Sequence, residues 1–394
     1  MPDHAKLQLT SSERRASIAL AGLFACRMLG LFLLLPVFTV AARGLPGGND
    51  PARVGLAMGM YGLTQAILQI PFGLASDRWG RRPVVLLGLA LFVAGSVVCA
   101  LSPDVFWITI GRAIQGAGAI SAAITAWIAD ATRDEVRTRA MAMVGGSIGM
   151  SFAVSLVAAP LLVGWWGLSG LFWTIACLGL ASLAVARWMV PLAPRSDDRA
   201  MTGRQPGAVF LHPDLLRLNF GVFCLHLTQV SLFVVVPALL ARLGGLDAHD
   251  LWKVYLPVIL ISFVLMVPAV FVAEKRRAHR GALRAAVAFL IVVLAVMPWA
   301  SHNFYTLVAL LTGFFVAFNI LEALQPSLVS RVAPREYKGL ALGFYNTSQA
   351  IGLFCGGALG GILAAHAGAT GVFVAVACLA VVWLVVGWAM RPLA

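Results

Sequence analysis

Apolar residues run along this chain in long blocks separated by short polar breaks. The blocks fall at about 17–42, 52–75, 83–102, 105–130, 138–163, 169–190, 216–241, 252–273, 283–301, 304–330, 339–365 and 369–390. Each is near or above the roughly 20 residues a helix needs to cross a bilayer. In lipid a backbone must satisfy its own hydrogen bonds, so runs this long are expected to be helices. The pattern therefore predicts an all-α membrane protein with twelve transmembrane helices. The first run is too long for a signal-peptide core and no small-residue cleavage site follows it, so it reads as a retained span.

The longest break, 191–215, holds Pro191, Pro194, Pro206 and Pro213 with Arg195, Asp197, Asp198 and Arg199. It divides the chain into an N-terminal segment (1–16), a first six-helix bundle (17–190), a connecting loop (191–215) and a second six-helix bundle (216–394). The halves echo each other. "GLSGLFWTIACL" (167–178) and "GATGVFVAVACL" (368–379) share Gly167/Gly368, Gly170/Gly371, Phe172/Phe373, Ala176/Ala377, Cys177/Cys378 and Leu178/Leu379. A weaker echo pairs Pro71-x5-Asp77-Arg78 with Pro268-x5-Glu274-Lys275. A repeat of six spans in the same orientation implies two pseudo-symmetric bundles.

Composition agrees. The chain is 60% hydrophobic and 11% charged, with mean hydropathy +0.91; a soluble domain is nearer a quarter charged. Twelve spans use nearly all of the 394 residues, and no G-x-x-x-x-G-K-[ST] is present, so transport driven by ATP is not expected. The net charge of +13 would suggest nucleic acid in a soluble protein. Its distribution argues for topology instead. With the N-terminus inside, only Arg43, Arg53, Arg242 and Lys253 fall on the far side, Arg27 and Arg112 lie within spans, and the other 23 of 29 lysines and arginines face the cytoplasm. That bias puts both termini in the cytoplasm and removes the case for a nucleic-acid partner. Cys26, Cys99, Cys177, Cys224, Cys355 and Cys378 all lie in apolar runs with no C-x-x-C pair, so neither a disulfide nor a metal site is expected. No nucleophile–base pair stands out either, and the chain does not read as an enzyme.

The polar residues inside the spans are the candidates for chemistry. Glu322 sits mid-span in "FFVAFNILEALQPSLVS", with Asn319 three residues before it and Pro326 four after, on one helical face. A carboxylate in the membrane marks a functional site by default. Burial favours its neutral form and a nearby cation its charged form, so alternating environments let it load and release a proton. Arg27, in "CRMLG", is the candidate cation; a fixed Arg27–Glu322 pair that merely staples the halves is the alternative. Arg112 in "GRAIQGAG" costs about 2.5–3.5 kcal/mol to insert and needs a partner, helix-end carbonyls or a water-filled cavity. Tyr61, Gln65 and Gln69 form an i, i+4, i+8 stripe, Asn219 and His226 are seven apart, and Asn346 and Gln349 are three apart beside Tyr345. Together with Asn319 they are expected to line a small-molecule cavity, although His226 fits an interhelical hydrogen bond equally well.

Between the second and third spans stands "GLASDRWGRRPVVL". It resembles the signature loop of the major facilitator superfamily, G-x-L-a-D-r-x-G-r-[KR]. The resemblance implies a gate: Gly73 at a close helix approach, Gly80 at a tight turn, and Asp77 facing the start of span eleven near Lys338–Leu342. Arg78 and Arg81 would reach Asp130, with Arg82 completing the basic run. "GRAIQGAG" is similar to a second motif of the family, R-x-x-q-G-x-g, whose arginine is linked to proton transfer. Span five resembles the exporters' G-x8-G-x3-G-P-x2-G-G: Gly146, Pro160 and Gly164 match, Ser155 and Ala159 keep the small size, and Val163 departs.

The whole chain fits this pattern and is most similar to the twelve-span drug–proton antiporter branch. That implies alternating-access export of an amphiphilic small molecule from the bacterial inner membrane in exchange for protons. Glu322 would carry the proton, relayed towards Asp130, with Arg112 and Arg27 modulating it. The partners would be the substrate, protons and the lipid bilayer, with a monomer as the working unit and no cofactor beyond the proton gradient. Proton-linked uptake, or a non-transporting sensor on the same fold, are the alternatives. Some relatives continue into a small cytoplasmic domain after span twelve; this sequence stops at Ala394, so either any role of that domain is absent or the sequence is a shortened piece.

Overall fold

A computed structural model describes residues 9–191, 207–276, 278–300, 302–334 and 337–390. Most of the expected 191–215 connection, and the basic residues Lys6, Arg195, Arg199, Arg204, Arg277, Arg335 and Arg391, lie outside the described residues. The described helices are α1 (Ser11–Phe32), α2 (Phe38–Ala41), α3 (Pro51–Trp79), α4 (Arg81–Ala100), α5 (Val105–Ala117), α6 (Ser121–Ala131), α7 (Asp134–Ala184), α8 (Gly207–Phe210), α9 (Pro213–Gly244), α10 (Trp252–Lys275), α11 (His279–Ala300), α12 (Phe304–Val332) and α13 (Lys338–Trp388).

These helices trace twelve crossings, although eight meet a strict test of length and hydropathy among the described residues. The difference lies in breaks and joins. α7 and α13 each run for 51 residues. At 1.5 Å per residue such a helix would far exceed a hydrocarbon core of about 30 Å. Each turns back at a glycine with left-handed backbone, Gly167 (φ 67°) in α7 and Gly368 (φ 63°) in α13, so each supplies two spans. These two glycines head the repeated segment read in the sequence. Conversely, α1 and α2 make one crossing, as do α5 and α6, separated at Gly118–Ile120.

Local chemistry sets the ends. Thr10 caps α1 in a reciprocal capping box with Glu13, which starts the helix at Ser11 rather than near residue 17. Glu13 also receives Arg133 Nε at 2.8 Å and Arg133 Nη2 at 3.1 Å, tying the start of α1 to the α6–α7 connection. Asp50, Asp104 and Asn303 cap α3, α5 and α12, satisfying first-turn N–H groups that have no preceding turn to accept from them.

The α3–α4 and α6–α7 connections define an arginine-rich end; the α4–α5 connection, Gly167 and Gly368 define the opposite end. α13 is wedged between α3 and α9 by glycines on two faces. A Cβ at Gly352 or Gly356 would lie 2.5 Å from the Phe223 or Leu227 carbonyl oxygen of α9. On the other face Gly357 and Gly361 meet Gly55, while a Cβ at Gly59 or Gly62 would lie 2.6 or 2.5 Å from the Phe354 or Ala350 carbonyl oxygen. Small residues allow this backbone approach where lipid provides no hydrophobic drive between helices. The α3–α13 seam lies towards the opposite end. There Gly164 abuts His249, and the Tyr255 hydroxyl donates to Pro36 O at 3.3 Å.

Candidate functional site

The arginine-rich loop is built around Gly80, whose φ of 95° allows α3 to turn directly into α4. The turn folds Arg81 back onto α3. Its guanidinium pairs with Asp77, donates to Ser76 Oγ at 2.8 Å and, through Nε, to Asp130 Oδ2 on α6 at 2.8 Å. Arg82 donates to Val190 O at 2.6 Å. Arg78 is exposed, and among the described residues the ion pair to Asp130 is made by Arg81. Asp77 is 62% exposed and keeps to its own loop; the expected facing of the α13 start is not made in this conformation. Gly73 sits against Ala122 at ordinary van der Waals distance, so close helix approach does not require a glycine there.

Deeper in the first bundle two arginines meet one tyrosine. Arg112 lies with its guanidinium 4.8 Å from the Tyr61 ring centre and Arg27 at 5.6 Å. Both arginines and the ring are essentially inaccessible to solvent. Arg112 Nη1 donates to Gln115 Oε1 at 2.9 Å and to Gly30 O at 3.2 Å; Gln115 in turn donates to Ser96 Oγ at 2.8 Å. Arg27 Nη1 donates to Ser121 Oγ. Ser96 and Ser121 carried no signal in the sequence, because a serine in an apolar run is common and its partner lies on another helix. The stripe on α3 forms as expected: Tyr61, Gln65 and Gln69 are all buried, Gln65 donates to Gln69 at 3.4 Å, and Gln69 reaches Gly343 O of α13 at 3.4 Å.

Glu322 lies in the second bundle, and its basic neighbour is His226 on α9 rather than Arg27. Glu322 Oε2 is 3.6 Å from His226 Nε2, and no ion pair joins Arg27 to Glu322 among the described residues. The physical reason is which helices adjoin: Arg27 turns its Nη1 to Ser121 of its own bundle, whereas α9 packs on α12. His226 Nδ1 stands 3.0 Å from Val222 O. A carbonyl only accepts, so Nδ1 bears the hydrogen and the neutral ring turns its Nε2 lone pair to Gln349 Nε2, at 2.7 Å. Glu322 Oε2 has no hydrogen-bond partner, yet a fifth of its side chain is exposed. An added proton therefore has the Glu322 carboxylate as its open seat, and His226 Nε2 becomes a second one only when the Gln349 amide turns away.

Asn319 does not join this pair: it donates to Ser262 Oγ of α10 at 3.0 Å. Tyr345 and Asn219 are buried, with the Tyr345 hydroxyl and Asn219 Oδ1 unpartnered, and Asn346 is half-buried. Gln229 and Gln325, ordinary polar residues to the eye in the sequence, are also buried, with amides unpartnered among the described residues. On α7, Ser155 and Ala159 are fully buried, Ser155 bonds back to Phe152 O at 2.7 Å, and Pro160 lies within the helix. Nothing approaches Gly146 within 4 Å of where a Cβ would stand, whereas Gly164 is pressed against the His249 ring. Phe152 bridges the halves, 5.1 Å from Phe32 on α1 and 5.5 Å from Phe318 on α12.

Twelve crossings in two repeated bundles, with buried polar centres, define a membrane transport protein. The chain belongs to the Major Facilitator Superfamily, whose family model matches residues 20–354 and 319–394. It is 44% identical to the inner membrane transport protein YajR of Escherichia coli K12 over 98% of this chain and 85% of that protein. The multidrug resistance protein MdtL of Shigella dysenteriae is 24% identical, over 70% of this chain and 72% of its own length. Among solved structures, a D-xylose–proton symporter superposes with a TM-score of 0.74 at 16% identity, covering 96% of this chain and 98% of its own, which speaks for the fold alone.

Proposed function

We propose that this transporter exports an amphiphilic small molecule in exchange for protons, by alternating access in a bacterial inner membrane. The observation that carries the reading is the Glu322–His226 pair: a largely buried carboxylate 3.6 Å from an imidazole nitrogen, inside a span, where a titratable pair is expensive without a task. Export is supported by the small residues and Pro160 on α7 and by the likeness to MdtL, a protein named for multidrug resistance. The basic bias of the sequence places the arginine-rich end in the cytoplasm. In this reading the conformation is closed at the periplasmic end by the α3–α13 seam. The Arg81–Asp77–Asp130 cluster is the latch, whose Asp77 engages α13 only when the inside closes. Gln69, Gln349 and Asn346 belong to the substrate cavity. One proton entering from the periplasm neutralises the Glu322–His226 pair, and its release to the cytoplasm resets the cycle; a charge moved across 100 mV supplies about 2.3 kcal/mol.

The test is a panel of amphiphilic compounds added to proteoliposomes with an imposed pH gradient and an internal pH dye. An antiporter makes a transported compound collapse the gradient when protons and compound run in opposite directions. A compound that moves with the protons, in the same direction, would overturn the export reading.

A further inference from the structure

The Glu322–His226 pair includes neither buried arginine of the first bundle. Arg27 and Arg112 are 1% and 0% exposed, and a guanidinium keeps its charge in any protein environment. Among the described residues neither forms an ion pair: every recorded acceptor is neutral, namely Ser121, Gln115 and the Gly30 carbonyl. Nε and Nη2 of both arginines have no hydrogen-bond partner, and nor do the Tyr61 hydroxyl and Gln65 Oε1 on the same α3 face. Two like charges are thus held against one aromatic ring, whose π face offsets part of their repulsion. Their forked donors remain unspent.

An arginine kept for packing alone would be satisfied by carbonyls or a carboxylate. Here two full charges meet neutral acceptors, and their remaining donors suit a negative charge with acceptor oxygens or an equivalent anion. We infer that Arg27 and Arg112 form an anion site that takes a carboxylate or a small inorganic anion, with Tyr61 holding the two guanidiniums in place. Phe32 lies five residues along α1 from Arg27 and contacts Phe152, which contacts Phe318, one turn before Glu322. An apolar body attached to the carboxylate and reaching towards the second bundle would find the Phe32, Phe152 and Phe318 rings to pack against. The inference rests on reading the chain as a transporter, and it adds that the amphiphile is an acid or travels with an inorganic anion.

The experiment is equilibrium binding of labelled benzoate and of labelled chloride to the full chain in nanodiscs. Saturable benzoate binding, displaced by unlabelled benzoate but not by the isosteric neutral benzamide, supports a carboxylate ligand. Saturable chloride binding at the same arginines supports a free inorganic ion. Arg27→Lys and Arg112→Lys keep the charge but lose the fork, and each is expected to weaken binding about tenfold or more; Arg27→Gln and Arg112→Gln should abolish it. Binding is read at equal pH with no proton gradient, so a failed proton-coupling assignment and a failed anion site give different results. If wild type binds neither probe saturably, or if the arginine variants bind as wild type does, the inference is overturned. The wild-type arm decides even if a variant does not fold.

Discussion

At the scale of single residues, the informative positions are those whose chemistry breaks the apolar pattern. Glu322, Arg112 and Gly80 could be read as candidates from the sequence because a charge in a span, or a glycine at a tight turn, has few cheap explanations. Their partners could not. Glu322 and His226 lie on different helices, and which side chain meets which depends on helix rotation, which no local pattern encodes. That is why Arg27, the more visible cation, stood as the expected partner. The same limit hid Ser121 and Ser96. Arg81 offers a direct test. Asp130→Asn removes the charge that Arg81 Nε faces at 2.8 Å, and a hydrogen bond to a charged group is worth about 1.5–3 kcal/mol. Thermal unfolding in detergent should register that loss as a lower Tm. An unchanged Tm would mean that Ser76 and Asp77 hold Arg81 by themselves.

At the scale of elements, the helices follow the hydropathy pattern closely, and the departures have physical causes. α1 starts early because Thr10 and Glu13 cap it. The 51-residue α7 and α13 follow from single glycines taking left-handed backbone where an ordinary residue would break the hydrogen-bonded ladder differently. Gly368→Ala forces a Cβ into φ 63° and should destabilise by about 1 kcal/mol or more, visible in thermal unfolding. The glycines of α13 were present in the sequence as "CGGALGG" (355–361) but have no meaning until two neighbouring helices are known. Gly356→Val places new atoms against the Leu227 carbonyl, where a Cβ alone would lie 2.5 Å away. Overpacking of this kind costs about 1–3 kcal/mol, so a clear Tm loss is expected. Gly59→Val should act differently, since the α3–α13 seam joins the two halves: it should bias the transporter away from the conformation seen here. Cysteine-labelling of the seam would detect that as increased reagent access; unchanged access would show that the seam is not a moving contact.

At the scale of the whole molecule, the parallel repeat seen in sequence reappears as paired glycine turns 201 positions apart, and the two bundles pack most tightly away from the arginine-rich end. On the reading proposed above, an anion centre in the first bundle and a proton centre in the second give each half its own ligand. Alternating access then couples them, because both must face the same side at once. The central claim is that Glu322 with His226 couples transport to protons without itself forming the passage. The measurement that tests it most directly compares, in proteoliposomes of Glu322→Gln and wild type, substrate accumulation driven by a pH gradient with substrate exchange at equal pH. The account predicts that Glu322→Gln loses gradient-driven accumulation and retains exchange. Accumulation at the wild-type level in Glu322→Gln would contradict it.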